Sequence, residues 1–308
     1  MKIMVTGALG HIGSALIRED ALFAEASELV LVDSLATQRF PSLFNLPAGP
    51  RYKMLAADVT DAVTAHEIDG CSAIVHLAAI SDPGASVGNP DWLYANNLRI
   101  TRHVADVCLA TSVPLVFVST TSVYSSTAPL VDESCPDLQP SSPYAKCKLQ
   151  EEGYVLSLVE QGLRAAVFRL GTIFGVSPGM RFHTAVNKFC WQAAMGEEIE
   201  VWATAMDQRR PYLALSDATR MLARSAVEGI FPGEVVNAVT CDATVGEVLD
   251  EIRRFRHVRI RRVENVLMND LSFAASTSKA RGLGFEFTGS LREDVAATLA
   301  MLGDLSGV

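Results

Sequence analysis

The sequence predicts an α/β fold built on a doubly wound parallel sheet, with a smaller C-terminal lobe interleaved with it. Three observations predict this. Short, almost continuously apolar runs alternate with helix-like stretches through the first half, Gly7, Gly10 and Gly13 sit between the first run and the first helical stretch, and beyond residue 170 the alternation gives way to Gly- and Pro-punctuated loops and separated helices. A strand apolar on both faces belongs in a sheet that helices cover on both sides.

The first strand is KIMVT, followed by the helical stretch HIGSALIREDALF and then by the strands ELVLVDS, YKMLAAD and SAIVHLAA. DWLYANNLRITRHVADVCLA reads as a long helix and PLVFVST as a fifth strand. A loop rich in Ser, Pro and Asp over 125–143 leads into SSPYAKCK, where Pro143 is suited to a first helical turn, and a sixth strand covers 164–170. Later helices are predicted over 182–195, 216–228, 244–255 and 290–302, and the basic stretch HVRIRRVEN at 257–265 is predicted to be a strand edge guarded by charge. These spans divide the chain into a nucleotide-binding domain over 1–170, to which residues of about 205–240 return, and a lobe over 171–308 that serves mostly to hold substrate.

With 49% hydrophobic and 20% charged residues in a chain of 308, there is ample material for a buried core. A formal net charge of -9 excludes non-specific nucleic-acid binding, which needs a dense basic surface. The six cysteines, at 71, 108, 135, 147, 190 and 241, form no CxxC pair and no cluster with His, so no metal site and no disulfide framework is expected and the thiols are read as reduced. The chain opens on MKIMVTG, and it has no apolar run of membrane-spanning length, so a soluble cytoplasmic protein with no membrane partner is the expectation.

TGALGHIGS places its three glycines where a strand turns into a helix. Glycine there permits the tight turn, the approach of backbone to a pyrophosphate and the close packing of helix on strand. The spacing is GxxGxxG, and Asp33 ends the second strand 20 residues past Gly13, where an acid binds the adenosine ribose hydroxyls and repels a 2′-phosphate. NAD is therefore expected rather than NADP.

Tyr144 and Lys148 stand one helical turn apart. A phenol with an ordinary pKa of about 10 is a poor base at neutral pH, and a nearby ammonium would favour its ionised form. Lys146, two residues from Tyr144, points elsewhere on a helix.

Together these segments resemble the extended short-chain dehydrogenase/reductases, specifically the NAD-dependent nucleotide-sugar epimerases and dehydratases. The resemblance rests on GALGHIG, Asp33, AADV around Asp58, HLAA at 76–79, NNLRIT at 96–101, STTSVY at 119–124, YAKCK at 144–148 and FRLGTIFG at 168–175, and it spans nearly the whole chain. It implies a Rossmann-type domain with His11 and Ile12 along the pyrophosphate, Asp33 on the ribose, Asp58 and Val59 at the adenine, and Leu77, Ala78, Ala79 and Asn97 at the cofactor's edge, although Ile100 replaces a usual glycine. Thr120 takes the Ser/Thr position beside Tyr144 and Lys148 as the catalytic set, with the tyrosine and lysine also touching the cofactor. Ser81, Thr120, Thr172, Asn187 and Arg210 fall to the substrate, the last two at its diphosphate.

Within that resemblance the branch is a 4-epimerase acting through a transient 4-keto sugar. Thr121 and Ser122 stand where 4,6-dehydratases of this kind carry an acidic pair, Ser122 also stands where enzymes epimerising the flanking carbons carry cysteine, and neither Cys135 nor Cys147 matches that position. Thr172 and Ala214 replace a common Asn and His, and LMNDLSF at 267–273 replaces a late Arg-Pro-Gly-Asp-like segment, which leaves the nucleotide and sugar open. The alternatives are a net oxidoreductase, either a 4-ketosugar reductase or a small-alcohol dehydrogenase, and a silent NAD-binding protein. A homodimer through helices near 91–111 and 143–161 is also implied.

Overall fold

β1 (Lys2–Thr6) buries Ile3 and Val5 in one core and Met4 in another. The split recurs along β2 (Glu28–Asp33), β4 (Ala73–His76) and β5 (Leu115–Thr120), with β3 (Arg51–Ala56) at the edge of the same sheet. Leu29, Leu31, Val75 and Val116 join Ile3, whereas Val30, Val32, Ile74, Leu115 and Phe117 join Met4. Side chains alternate along a strand, so a strand apolar at every position needs a core on each face. The computed structural model describes the backbone of residues 1–81, 89–263, 272–303 and 305, with side chains at all of these except Phe23 and Thr204.

The predicted single helix after β1 is two, α1 (His11–Leu16) and α2 (Asp20–Glu25). The break has a local cause. Arg18 N and Glu19 N bond three residues back, tightening the last turn, while the Arg18 guanidinium bonds Ser14 O, Ser42 O and Phe44 O and ties the break to the loop beyond β2.

α3 (Ala62–Ile68) precedes β4, and α4 (Pro90–Thr111) begins at Asn89, whose side chain accepts from Trp92 N at 3.1 Å. After β5 comes the two-residue β6 (Leu130–Val131), then α5 (Pro143–Val159), capped by Ser142 accepting from Ala145 N, with Pro143 at its first position. α4 and α5 pack together over the core that holds Met4. β7 (Ala165–Leu170) then enters the sheet beside β5, and β8 (Thr172–Phe174) leaves it for the lobe.

The lobe carries α6 (Ala185–Ala194), β9 (Glu198–Trp202) and β10 (Arg209–Ala214). α7 (Leu215–Glu228) returns to pack on α1 and α2, and β11 (Val235–Ala238) adds a seventh strand beside β7. Phe285 and Phe287 return as well, Phe285 meeting Phe168 edge-on at 5.6 Å between ring centres. The parallel order is β11-β7-β5-β4-β1-β2-β3, which is the predicted doubly wound sheet, and the order reverses direction between β1 and β4. Ligands in such sheets lie at the carboxyl ends of the strands beside that reversal.

The rest of the lobe is β12 (Cys241–Thr244) on β10, α8 (Val245–Arg253), β13 (Arg259–Val263) on β9, β14 (Ala274–Ala275) on β6, a short α9 (Ser278–Gly282) and α10 (Leu291–Leu302). The basic stretch predicted as a guarded edge is β13, and its Arg261 pairs with Glu198 and Glu200 of the parallel neighbour.

One buried ion pair fixes α5 to the sheet. Arg169 on β7 donates from Nε to Glu152 Oε2 at 3.0 Å, both side chains are buried, and the guanidinium lies over the Tyr124 ring. Removing one partner strands the other charge, so Glu152→Ala is expected to lower unfolding free energy by about 3–5 kcal/mol, read by chemical denaturation.

Candidate active site

At the carboxyl end of β1 the chain turns through Gly7 with φ +65°. A Cβ there would stand 2.7 Å from Ala78 N, and one on Gly13 would stand 2.4 Å from Gly7 O, so both positions hold backbone against backbone. Gly10 is looser, its nearest neighbour at 3.2 Å. Gly179, which sequence reasoning missed, closes the same turn from the lobe side: a Cβ on it would lie 2.4 Å from Leu9 O. Its N–H donates to Ser14 Oγ at 2.9 Å and its carbonyl accepts from Arg39 at 2.8 Å.

Asp33 anchors the turn from β2, one oxygen accepting from Leu9 N at 3.1 Å and the other from Leu35 N at 2.9 Å. His11 bonds Ser177 Oγ through Nδ1 at 2.8 Å and faces Asn187 through Nε2 at 3.4 Å. Burial, then the charges of Arg181, Arg39 and His183, push His11 down to about 3, so its ring is neutral at physiological pH. Burial and the neighbouring Arg181 bring Arg39 to about 10, against the pull of Asp33. Arg39, Arg181 and His183 thus bring positive groups to a glycine turn with no room for side chains, a setting suited to a diphosphate.

Other predicted residues line the same sheet edge. Leu77 and Ala78 donate their N–H groups to Thr6 Oγ1, and Ala79 follows them. Asn97 is buried and pins the next turn by bonding both N and O of Ile80. Asp58 binds Thr60 and makes a 2.9 Å ion pair with Arg99 of α4, while Val59 is buried. Ser81 accepts from Arg181. Ile12 packs on the first core.

Thr120 closes β5, its Oγ1 accepting from Ser122 N at 3.1 Å, and the short turn that follows, Thr121–Val123, packs against α5. Thr121 is buried and bonds Leu170 O. From α5, Tyr144 is half-buried, Lys148 is buried and Lys146 is exposed. The electrostatics depart from the expected lowering of the phenol. Burial pushes Tyr144 up, and Glu151 and Cys147 add to this, together outweighing the opposing pull of Lys148 and Arg181. Lys148 itself bonds Glu151 Oε2 at 2.8 Å and lies over the Phe117 ring. Burial lowers its affinity for the proton, but Glu151 and Tyr144 together hold it above its ordinary value.

Two predicted substrate contacts lie in the lobe. Asn187 is fully buried and engaged by Gly175, the Arg181 carbonyl and His11, so it ties α6 to the glycine turn. Arg210 is on β10 over the Phe273 ring, where burial lowers it, and Thr172 of β8 pairs with Tyr212 of β10. Most of LMNDLSF lies outside the described residues, and its Phe273 is buried beside Tyr124. No potential metal cluster occurs among the described residues.

A profile of the NAD dependent epimerase/dehydratase family matches residues 3–238. The chain belongs to this family. It is 28% identical over 247 residues to "Uncharacterized UDP-glucose epimerase YtcB" of Bacillus subtilis, covering 77% of this chain and 76% of that one. It is 26% identical over 310 residues to UDP-glucuronic acid decarboxylase 6 of Arabidopsis thaliana, covering 95% and 86%. Among solved structures, DesIV, a dTDP-glucose 4,6-dehydratase of Streptomyces venezuelae with NAD bound, superposes with a TM-score of 0.85 at 26% identity over 97% of this chain and 96% of that one. NAD is the cofactor of the family, and the glycine cradle with its basic surround fits that group.

Gly13→Ala is expected to weaken NAD binding by tenfold or more in isothermal calorimetry, since the turn must open to admit a methyl group. His76, fully buried on β4, is held down to about 3, first by burial and then by Lys148. The unfolded chain takes up a proton near pH 6.5 that the folded chain refuses, so stability falls as pH drops from about 6.5 toward 3, by roughly 1 kcal/mol per unit. His76→Gln should flatten that slope in denaturation series run across the range.

Proposed function

We propose that the chain is an NAD-dependent nucleotide-sugar 4-epimerase working through a transient 4-keto sugar. What supports this reading is that the turn following Thr120 packs on the helix carrying Tyr144 and Lys148, that Lys148 acts electrostatically on Tyr144, and that no carboxyl group stands at Thr121 or Ser122. NAD held at the glycine cradle would supply the hydride acceptor for the sugar C4 and, once reduced, the hydride donor to the same carbon. Thr120 would hold the C4 oxygen by hydrogen bond, and Tyr144 would take the hydroxyl proton as the carbon is oxidised and give it back as the ketone is reduced from its other face. Lys148 would fix Tyr144 electrostatically, and Asp33 would sit on the adenosine ribose. Ser81, Thr172, Asn187 and Arg210 remain the substrate candidates, Arg210 for its charge toward a diphosphate.

The absence of an acid pair after Thr120 counts against loss of water, and the similarity to a B. subtilis protein named as a UDP-glucose epimerase supports the same branch. The same reading takes the protein to act in the cytoplasm, in keeping with six free cysteines, and as a homodimer across α4 and α5, where Trp92 is 51% exposed. No described helix is long and apolar enough to cross a membrane.

A panel of UDP-, dTDP-, CDP- and GDP-sugars, followed by NMR at C4 and by NADH absorbance, tests the reading. The expected outcome is inversion at C4 with no stoichiometric NADH, and a rate reduced by about 10²–10⁴ in Tyr144→Phe with NAD binding retained. Stoichiometric NADH would point to a net oxidoreductase, and release of carbon dioxide or water to the other chemistries of the family.

A further inference from the structure

The loop over residues 175–184, between β8 and α6, has its base and its tip in different parts of the molecule. Its base is closed within the lobe: Thr184 Oγ1 donates to Ile173 O at 3.4 Å, and the Asn187 side chain accepts from Gly175 N at 3.3 Å and donates to Gly175 O at 3.4 Å. Gly175 itself stands at φ +116°, a bend that favours glycine. The tip crosses to the nucleotide-binding domain. Ser177 Oγ meets His11 Nδ1 at 2.8 Å, Gly179 N–H donates to Ser14 Oγ at 2.9 Å, Arg39 donates to Gly179 O at 2.8 Å, and Arg181 donates to Ser81 Oγ. His11 and Ser14 belong to α1, Arg39 follows β2 and Ser81 follows β4, so the tip spans the carboxyl ends of the strands where the sheet order reverses. Its backbone closes on the glycine turn, since a Cβ on Gly179 would stand 2.4 Å from Leu9 O and 2.6 Å from Gly10 O. Among the described residues, no side chain of the loop joins a buried apolar cluster. The tip can therefore lift by breaking polar ties, with the base still closed and no core exposed.

We propose that this loop is a strap that must lift for NAD to enter or leave the glycine turn, so that the ties at its tip set how long the cofactor stays. The inference needs only the family's NAD and does not rest on the epimerase reading. The ties of Ser177 and Gly179 join protein to protein. Loosening them shortens the life of the closed state whether or not the dinucleotide is underneath, so entry and exit quicken together and their ratio, the affinity, is conserved. Residues that merely touched NAD would behave differently: their loss would quicken exit alone and weaken affinity by the same factor. A reaction that returns its hydride to the molecule it came from needs the reduced cofactor kept in place, and a tied strap supplies that.

The test measures NAD exchange without substrate, so failure of the epimerase reading leaves it intact. Protein loaded with radiolabelled NAD is diluted into excess unlabelled NAD to give the release rate, isothermal calorimetry gives Kd, and their ratio gives the entry rate. Ser177→Ala removes the tie to His11, and its release rate is expected to rise about three- to tenfold, the worth of one hydrogen bond, with Kd within about twofold of wild type. Gly179→Ala forces the tip off Leu9 and Gly10 and is expected to speed release by about tenfold or more, again with little change in Kd. Circular dichroism establishes folding, and Ser177→Ala decides the matter by itself where Gly179→Ala does not fold. A Ser177→Ala release rate equal to wild type overturns the proposal, and so does faster release matched by an equal rise in Kd.

Discussion

The structure depends first on backbone lying against backbone at one turn. Gly7 touches the chain leaving β4, Gly13 touches the carbonyl of Gly7, and Gly179 reaches over from the lobe to touch Leu9 and Gly10. A methyl group at Gly7, Gly13 or Gly179 would force the contacts apart. That closeness brings the end of β1, the end of β4 and the lobe into one place, and the ends of β2 and β5 with the start of α5 are registered to it through the parallel sheet. The glycine turn and the start of α5 are therefore set by the same constraint.

Charge is distributed unevenly around that turn. On the lobe side burial, with the charges of Arg181, Arg39 and His183, holds His11 neutral. On the α5 side two buried cations are each answered, Lys148 by Glu151 at 2.8 Å and Arg169 behind it by Glu152. Consecutive carboxylates on one helix thus point to different partners, one toward the chemistry and one toward the sheet. The first holds the Lys148 ammonium and the second ties the helix to the sheet.

Much of this was legible in the sequence because it is local. The alternation of apolar runs, the glycine spacing before α1, Asp33 at the end of β2 and the turn-spaced Tyr144 and Lys148 are each encoded within a few residues. What escaped depends on contacts between distant segments. Gly179 matters because Leu9 lies against it some 170 residues away, and Phe285 returns to the first core without any periodic signal. Glu151 was hidden differently: its spacing from Lys148 suits an ordinary exposed ion pair, and only burial against Thr101 makes it consequential. The direction at Tyr144 was hidden for a similar reason, since a motif shows the lysine but not the burial that pushes the phenol up.

The central claim is that hydride leaves and returns to one carbon within one binding event, and isotope retention tests it most directly. A nucleotide sugar carrying deuterium at C4 should give the C4 epimer with the label still at C4, even with excess unlabelled NADH in solution. Loss of deuterium from that carbon to the cofactor pool, or accumulation of labelled NADH, would contradict the account.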